Sequence, residues 1–147
     1  MKPETFFMAS IQRFEDLLCW QKSRELYSLI YTMTKAPQFA SDFSLVDQIR
    51  RASGSVMDNI AEGYERDGAK ELVHFLSIAK GSLGEVRSQL YRALDQQYIS
   101  QEEFEVAYNL ALETIRITSG FMTYMRTAGY KGTKFKVEEP PIGYGLI

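Results

Sequence analysis

The residues with metal-binding or catalytic potential are few, and they are scattered along the chain. Glu71 and His74 form one Glu-x-x-His pair, a spacing that di-metal sites in four-helix bundles use twice. His74 is the only histidine in the 147 residues, so a second pair cannot exist here. Asp58 and Glu62 could add carboxylates, but we predict no metal site.

Covalent and acid–base catalysis lack their usual partners as well. The single cysteine, Cys19, falls on an apolar helix face, where a thiol is usually inert packing. Ser53, Ser55 and Ser82 lie in no Gly-x-Ser-x-Gly elbow, and His74 has no identifiable nucleophile and orienting acid. The glycines do not fit a phosphate-binding loop. We therefore predict a protein that is not an enzyme and binds no cofactor.

Length and composition indicate one ordinary globular domain. A chain of this size buries roughly 68–70% of its unfolded surface, and 45% hydrophobic with 24% charged residues is typical of such proteins. The 17 basic and 19 acidic residues give a net charge of −2, which lacks the basic excess of most nucleic-acid-binding proteins. No apolar run is long enough for a signal peptide or a membrane span, and one cysteine excludes an internal disulfide. We expect a cytoplasmic protein.

Two long amphipathic helices are predicted between residues 44 and 95. The first has apolar residues on one face, at Leu45, Ile49, Ala52, Val56 and Ile60. The second has the strongest periodic signal, an uninterrupted stripe at Leu72, Phe75, Leu76, Ala79, Leu83, Val86, Leu90 and Leu94. We predict that Ser44 caps the first helix, that Gly63 ends it in left-handed backbone, and that Asp67 caps the second.

Small residues lie opposite the leucine stripe of this second helix, at Ser77, Gly81, Gly84 and Ser88. Two glycines inside a helix cost about 1 kcal/mol each relative to alanine, so something should offset them. A strip of small residues allows close approach by another helix. This predicts a helix-docking surface; the alternative is that these residues are tolerated at an exposed surface.

Two further helices are predicted, one before residue 44 and one after residue 95. One runs from residue 15 or 16 to residue 35, with Cys19, Leu26, Ile30 and Met33 on one face; the aromatic residues beside this face, Trp20, Tyr27 and Tyr31, indicate packing rather than a cofactor pocket. The other starts at a capping box of Ser100 and Glu103 and ends at Gly129. Its inward stripe is predicted at Phe104, Tyr108, Ala111, Ile115, Met122 and Met125.

A second apolar stripe on this last helix stands roughly 120–160° around from the first. It comprises Val106, Leu110, Ile117, Phe121 and Tyr124. The helix then has more apolar surface than one bundle can cover. Together with the small-residue strip, this stripe predicts a subunit interface and hence a homo-oligomer.

The polar residues leave two interpretations open. Asn59 could bond the backbone of a neighbouring segment, and Glu62 is placed to pair with Arg66. Five cations either have structural roles or line a concave surface in the oligomer that meets RNA or a protein partner: Arg50, Arg51, Arg66, Lys80 and Arg87.

The end of the chain is predicted to be irregular because of its glycines and adjacent prolines. Four cations, Arg126, Lys131, Lys134 and Lys136, are interleaved there with Tyr130 and Phe135. Cations and rings in this pattern suit single-stranded nucleic acid, and a solvated tail is the alternative.

Several blocks of sequence carry a family resemblance. QIRRASGSVMDNIAEGYER and FLSIAKGSLGEV, together with FEDLLCWQKSRELYSLIYTMT near the start, resemble the 23S rRNA-intervening-sequence proteins, relatives of the accessory variability determinant (Avd) proteins of diversity-generating retroelements. The resemblance covers about residues 14–98, and the motif residues Asn59, Glu62 and Gly63 are expected to be structural. It implies an all-α, antiparallel up-and-down four-helix bundle that assembles into a bacterial homopentamer, usually without established activity. The Avd relatives bind a reverse transcriptase and nucleic acid through a basic surface, which the acidic net charge of this chain does not match.

We therefore expect an N-terminal extension (1–13), a four-helix bundle (14–129) and an irregular C-terminal tail (130–147). The predicted function is that of a non-enzymatic, self-assembling scaffold or interaction protein, whose partners are itself and an RNA or a protein, with no membrane and no small-molecule substrate. The alternative is an Avd-like nucleic-acid-binding accessory factor.

Overall fold

A computed structural model describes residues 9–129 and 138–139, and its main body is a bundle of four long helices. These are α1 (Leu18–Met33), α3 (Phe43–Glu65), α4 (Ala69–Asp95) and α5 (Gln101–Tyr124), with a short α2 (Pro37–Ala40) between the first two. Each long helix packs on two others, in the cyclic order α1, α3, α4, α5, and successive helices run antiparallel. The predicted four-helix bundle is confirmed.

Short elements extend the bundle at one end. A 3₁₀ turn (Phe14–Asp16) precedes α1, and a π-helical turn (Met125–Gly129) continues α5 to the predicted glycine. Two two-residue strands, β1 (Ala9–Ser10) and β2 (Glu138–Glu139), pair antiparallel, with Ala9 opposite Glu139. This pairing corrects the prediction of a wholly irregular tail at these two residues, since a two-residue bridge leaves no periodic pattern to detect.

The core lies where the predicted stripes meet. Its largest fully buried side chains include Leu26 and Ile30 of α1, Ile49 and Ile60 of α3, and Leu76, Leu83 and Leu90 of α4. The stripe on α4 is confirmed apart from Phe75 and Leu94, which are half-buried at its margins. No helix in the described part of the chain is both long and apolar enough to cross a membrane.

The start of α3 differs from the prediction. Asp42, not Ser44, is the N-cap: its Oδ1 accepts a hydrogen bond from the backbone N–H of Leu45 at 3.1 Å. Its Oδ2 accepts a second bond from the Tyr98 hydroxyl at 3.0 Å, which ties the α4–α5 connection to this end of α3. Both residue types are good caps, and the bond to Tyr98 is a tertiary contact that the local sequence does not reveal.

The α3–α4 turn corrects two further predictions. Gly63 lies inside α3, which continues to Glu65, and a Cβ built at Gly63 would stand 2.7 Å from Phe75 Cβ. The glycine therefore serves close packing of α3 on α4 rather than termination. Asp67 itself adopts the left-handed conformation, with φ of 58°, and Gly68 takes the N-cap position of α4.

The predicted capping box of α5 is confirmed. Ser100 Oγ accepts from the backbone N–H of Glu103 at 3.0 Å, and the Glu103 carboxylate accepts from the backbone N–H of Ser100 at 2.8 Å.

We expect Ser100→Ala to lower the free energy of unfolding by about 1 kcal/mol, because one amide of the first turn loses its partner. Urea unfolding followed by circular dichroism measures this change, with Ser28→Ala as the control because Ser28 is exposed inside α1. Equal stability of the two variants would show that the box contributes nothing.

Candidate interaction surfaces

The residues considered for metal binding and catalysis do not converge. Glu71 and His74 are both exposed on the first turns of α4, and no three His, Cys, Asp or Glu side chains among the described residues are grouped to hold a metal. Cys19 is fully buried. Ser53 Oγ donates to the Ile49 carbonyl within its own helix. The absence of enzymatic activity stays a prediction.

Three of the candidate contact arginines are held in different local arrangements. Arg50 donates from Nε to Thr34 Oγ1 at 2.9 Å, and its guanidinium carbon lies 3.9 Å from the centre of the Tyr31 ring. Arg51 pairs with Asp47 of its own helix at 3.0 Å. Arg66 pairs with Glu62 at 2.6 Å, as predicted, at the opposite end of α3.

A substitution pair separates these roles. We expect Arg50→Ala to lower the free energy of unfolding by about 1–2 kcal/mol, because it loses a tertiary hydrogen bond and a cation–π contact. Arg51→Ala should change it by less than about 0.5 kcal/mol, since an exposed helical ion pair contributes little. Thermal unfolding measures both; an equal loss for both variants would contradict the assigned contacts.

Arg87 belongs to a cluster of rings between α4 and α5. It donates to the Tyr108 hydroxyl at 2.7 Å, and this bond lowers the pKa of Tyr108. The hydrogen bond that Tyr91 makes to Tyr108 raises the pKa of Tyr91. Phe104 stacks on Tyr108 with ring centres 5.1 Å apart. Arg87 thus fastens α4 to α5.

The candidate cations therefore do not form one concave basic surface within a protomer. Arg50 faces α1, Arg87 faces α5, and Lys80 and Arg126 are exposed at different positions. Neither of the latter two forms an ion pair with a described residue. Lys131, Lys134 and Lys136 lie outside the described residues.

Polar side chains cluster between α3 and α4. Asn59 donates from Nδ2 to the Ser55 carbonyl at 2.8 Å and to Ser55 Oγ at 2.9 Å, which corrects the prediction that it bonds a neighbouring segment. Ser55 and Ser82 are 3.0 Å apart across the two helices. Beside them Gln89, with its Oε1 buried and unpaired among the described residues, lines a groove of about 320 Å³. The contact between Ser55 and Ser82 joins α3 to α4.

The small-residue strip of α4 points outward. Ser77, Gly81 and Ser88 are exposed and Gly84 is half-buried. A Cβ built at Gly81 or Gly84 meets no atom of another described element within 4 Å. Packing among the described residues therefore does not explain either glycine.

The second apolar stripe of α5 is only partly exposed. Phe121 was predicted to lie at a subunit interface. This prediction is wrong, because Phe121 is buried in the core with 0% of its surface exposed. Leu110, Ile117 and Tyr124 are half-buried against the core, because α5 packs on α1 as well as on α4. Val106 remains, with 59% of its surface exposed.

Val106 lies in a groove of about 350 Å³ between the ends of α1 and α5, which we call the acidic groove. Leu29, Met33, Ala36 and Val106 form its apolar part, and Glu102 and Glu103 stand beside it with Thr32. Glu102 forms no ion pair with a described residue. The sequence signal for this groove was an exposed apolar residue, Val106, one turn after the acidic first turn of α5.

The other side of α1 carries cations over aromatic rings, and we call it the cationic face. It comprises Arg24, Tyr31, Lys35 and Arg50. Lys35 Nζ lies 5.1 Å from the centre of the Tyr31 ring, which Arg50 also contacts. The guanidinium carbon of Arg24 lies 5.7 Å from the centre of the Trp20 ring. Tyr31 is 38% exposed. None of the three cations forms an ion pair within the described residues. Sequence reasoning assigned these aromatic residues to packing and identified Arg50 as a candidate contact, but it missed Arg24 and Lys35.

The sequence of this four-helix bundle matches a known protein family. The family model of the 23S rRNA-intervening sequence proteins matches residues 15–120, which include all four long helices apart from the last residues of α5. The chain belongs to the 23S rRNA-intervening sequence protein family. The resemblance noted in the sequence is thereby confirmed.

A solved structure has the same fold. It is a protein of unknown function from the S23 ribosomal protein family of Bacteroides thetaiotaomicron VPI-5482, 23% identical, with a TM-score of 0.65. The match covers 75% of this chain and 100% of the other. No curated protein matches this intervening-sequence protein.

Proposed function

We propose that this intervening-sequence protein is a non-enzymatic, cytoplasmic scaffold whose copies assemble with one another. The observation that carries the proposal is the outward strip of α4, where Gly81 and Gly84 stand in open space within the longest helix. Each glycine costs about 1 kcal/mol in helix stability relative to alanine. Docking of a neighbouring copy against the strip offers the contact that would offset this cost.

The assembly is expected to be a pentamer, a number that comes from the family resemblance. Light scattering coupled to size-exclusion chromatography at micromolar concentration tests the proposal. A mass that is a multiple of the 16.9 kDa protomer supports it, and a solitary protomer overturns it.

A second candidate function is that of an Avd-like accessory factor that binds nucleic acid and a reverse transcriptase. One observation favours it: Arg126 is exposed at the end of α5, immediately before the stretch with Lys131, Lys134 and Lys136. A gel shift with a single-stranded oligonucleotide tests it. A shift that weakens with salt and is lost on deleting residues 131–147 supports it, whereas an unchanged shift excludes this segment as the binding element.

A further inference from the structure

We propose that the cationic face of one copy docks on the acidic groove of the next copy. This inference rests on the proposed self-assembly and names two surfaces, neither of which involves the α4 strip. Each surface binds a second copy of this chain, because one surface carries cations and the other carries carboxylates.

Charge is the first argument. Arg24, Lys35 and Arg50 stand together on the cationic face, and Glu102 and Glu103 stand at the acidic groove. The opposite signs of the two surfaces favour their approach and disfavour contact of either surface with itself. Glu102 and Lys35 are both exposed and form no ion pair within the described residues, so each is available to a partner.

Apolar exposure is the second argument. Tyr31 presents a partly exposed ring at the centre of the cationic face, and Val106 exposes 59% of its surface at the acidic groove. The groove, with Leu29 and Met33 in its wall, has a volume of about 350 Å³, which can accept an aromatic ring with the adjoining side-chain stems. Aromatic anchors that enter such pockets are the usual centre of a protein interface.

The placement of the two surfaces is the third argument. Tyr31 and Lys35 of the cationic face lie in the second half of α1 or just after it, as do Leu29, Met33 and Ala36 of the acidic groove. The two surfaces lie on sides of the bundle that share this helix. Contact between two different surfaces of the same chain is heterologous, and it forms a closed ring when the rotation between copies closes.

Charge reversal tests the contact in the full chain. Lys35→Glu and Glu102→Lys should each weaken assembly about tenfold or more, as read from the concentration at which the oligomer dissociates in sedimentation velocity. The double variant, Lys35→Glu with Glu102→Lys, should restore assembly. Arg116→Glu makes the same charge change at an exposed position of α5 and should leave the mass unchanged. Circular dichroism verifies that each variant remains helical.

The outcomes separate this inference from the proposed function. A wild-type protein that stays a protomer overturns the proposed self-assembly. A wild-type oligomer that both single reversals leave intact overturns this contact alone, and self-assembly stands. Single reversals that weaken assembly without recovery in the double variant also overturn the pairing of these two surfaces.

Discussion

Phe121→Ala lowers the free energy of unfolding by about 3–5 kcal/mol, the usual cost of emptying a buried aromatic site. Phe121 of α5 is fully buried in the core, although its spacing predicted that it would lie on an outward stripe. The measurement is urea unfolding followed by circular dichroism at one fixed protein concentration, since assembly couples stability to concentration.

Phe43→Ala is the matched control, because it removes the same side chain from a position that is 81% exposed. This variant should change the free energy of unfolding by less than about 0.5 kcal/mol. Similar losses at both positions would show that Phe121 is not a core residue.

Gly81→Leu combined with Gly84→Leu should lower the mass of the assembly while leaving the protomer folded. A Cβ at either position meets no atom of another described element within 4 Å, so the new side chains start from the outer surface of α4 and not from the core. Replacing glycine inside a helix should even stabilise α4 by about 0.5–1 kcal/mol per site. At an interface, however, the same leucines prevent close approach of the neighbouring helix.

Light scattering reads the outcome of this substitution as a fall in mass toward the 16.9 kDa protomer. Arg116→Leu, exposed on α5, is the control and should keep the mass of the assembly. An unchanged mass in the double-leucine variant would mean that the glycines are tolerated surface residues.

The fold could be predicted from the sequence because its signals are local and repeated. The leucine stripe of α4 and the capping box of Ser100 and Glu103 each depend on spacings of three or four residues, and both are present as predicted. The errors lie where contacts between distant segments of the chain determine the local structure. Asp42 is the cap of α3 in place of Ser44, and its carboxylate also binds Tyr98, 56 residues away. Gly63 packs against Phe75 instead of ending its helix.

The candidate surfaces could be predicted only in part, for a similar reason. Spacing identified the outward strip with Gly81 and Gly84, because its members all lie on one helix. The second stripe of α5 was overestimated, since the position of α1 decides that Phe121 is covered and Val106 is not. The cationic face joins Arg50 of α3 to Tyr31 of α1, and no periodicity within one helix reports such a pair.

Solvent access to the outward strip of α4 tests the central claim most directly. A thiol placed at the strip by Ser77→Cys can be compared with one placed at an exposed position of α5 by Arg116→Cys, and the native Cys19 is fully buried. The rate of labelling by a maleimide at micromolar protein concentration is the measurement. We expect the thiol at position 77 to react at least about tenfold more slowly than that at position 116, because docking of a neighbouring helix excludes the reagent. Equal labelling rates would contradict a scaffold assembled through this face.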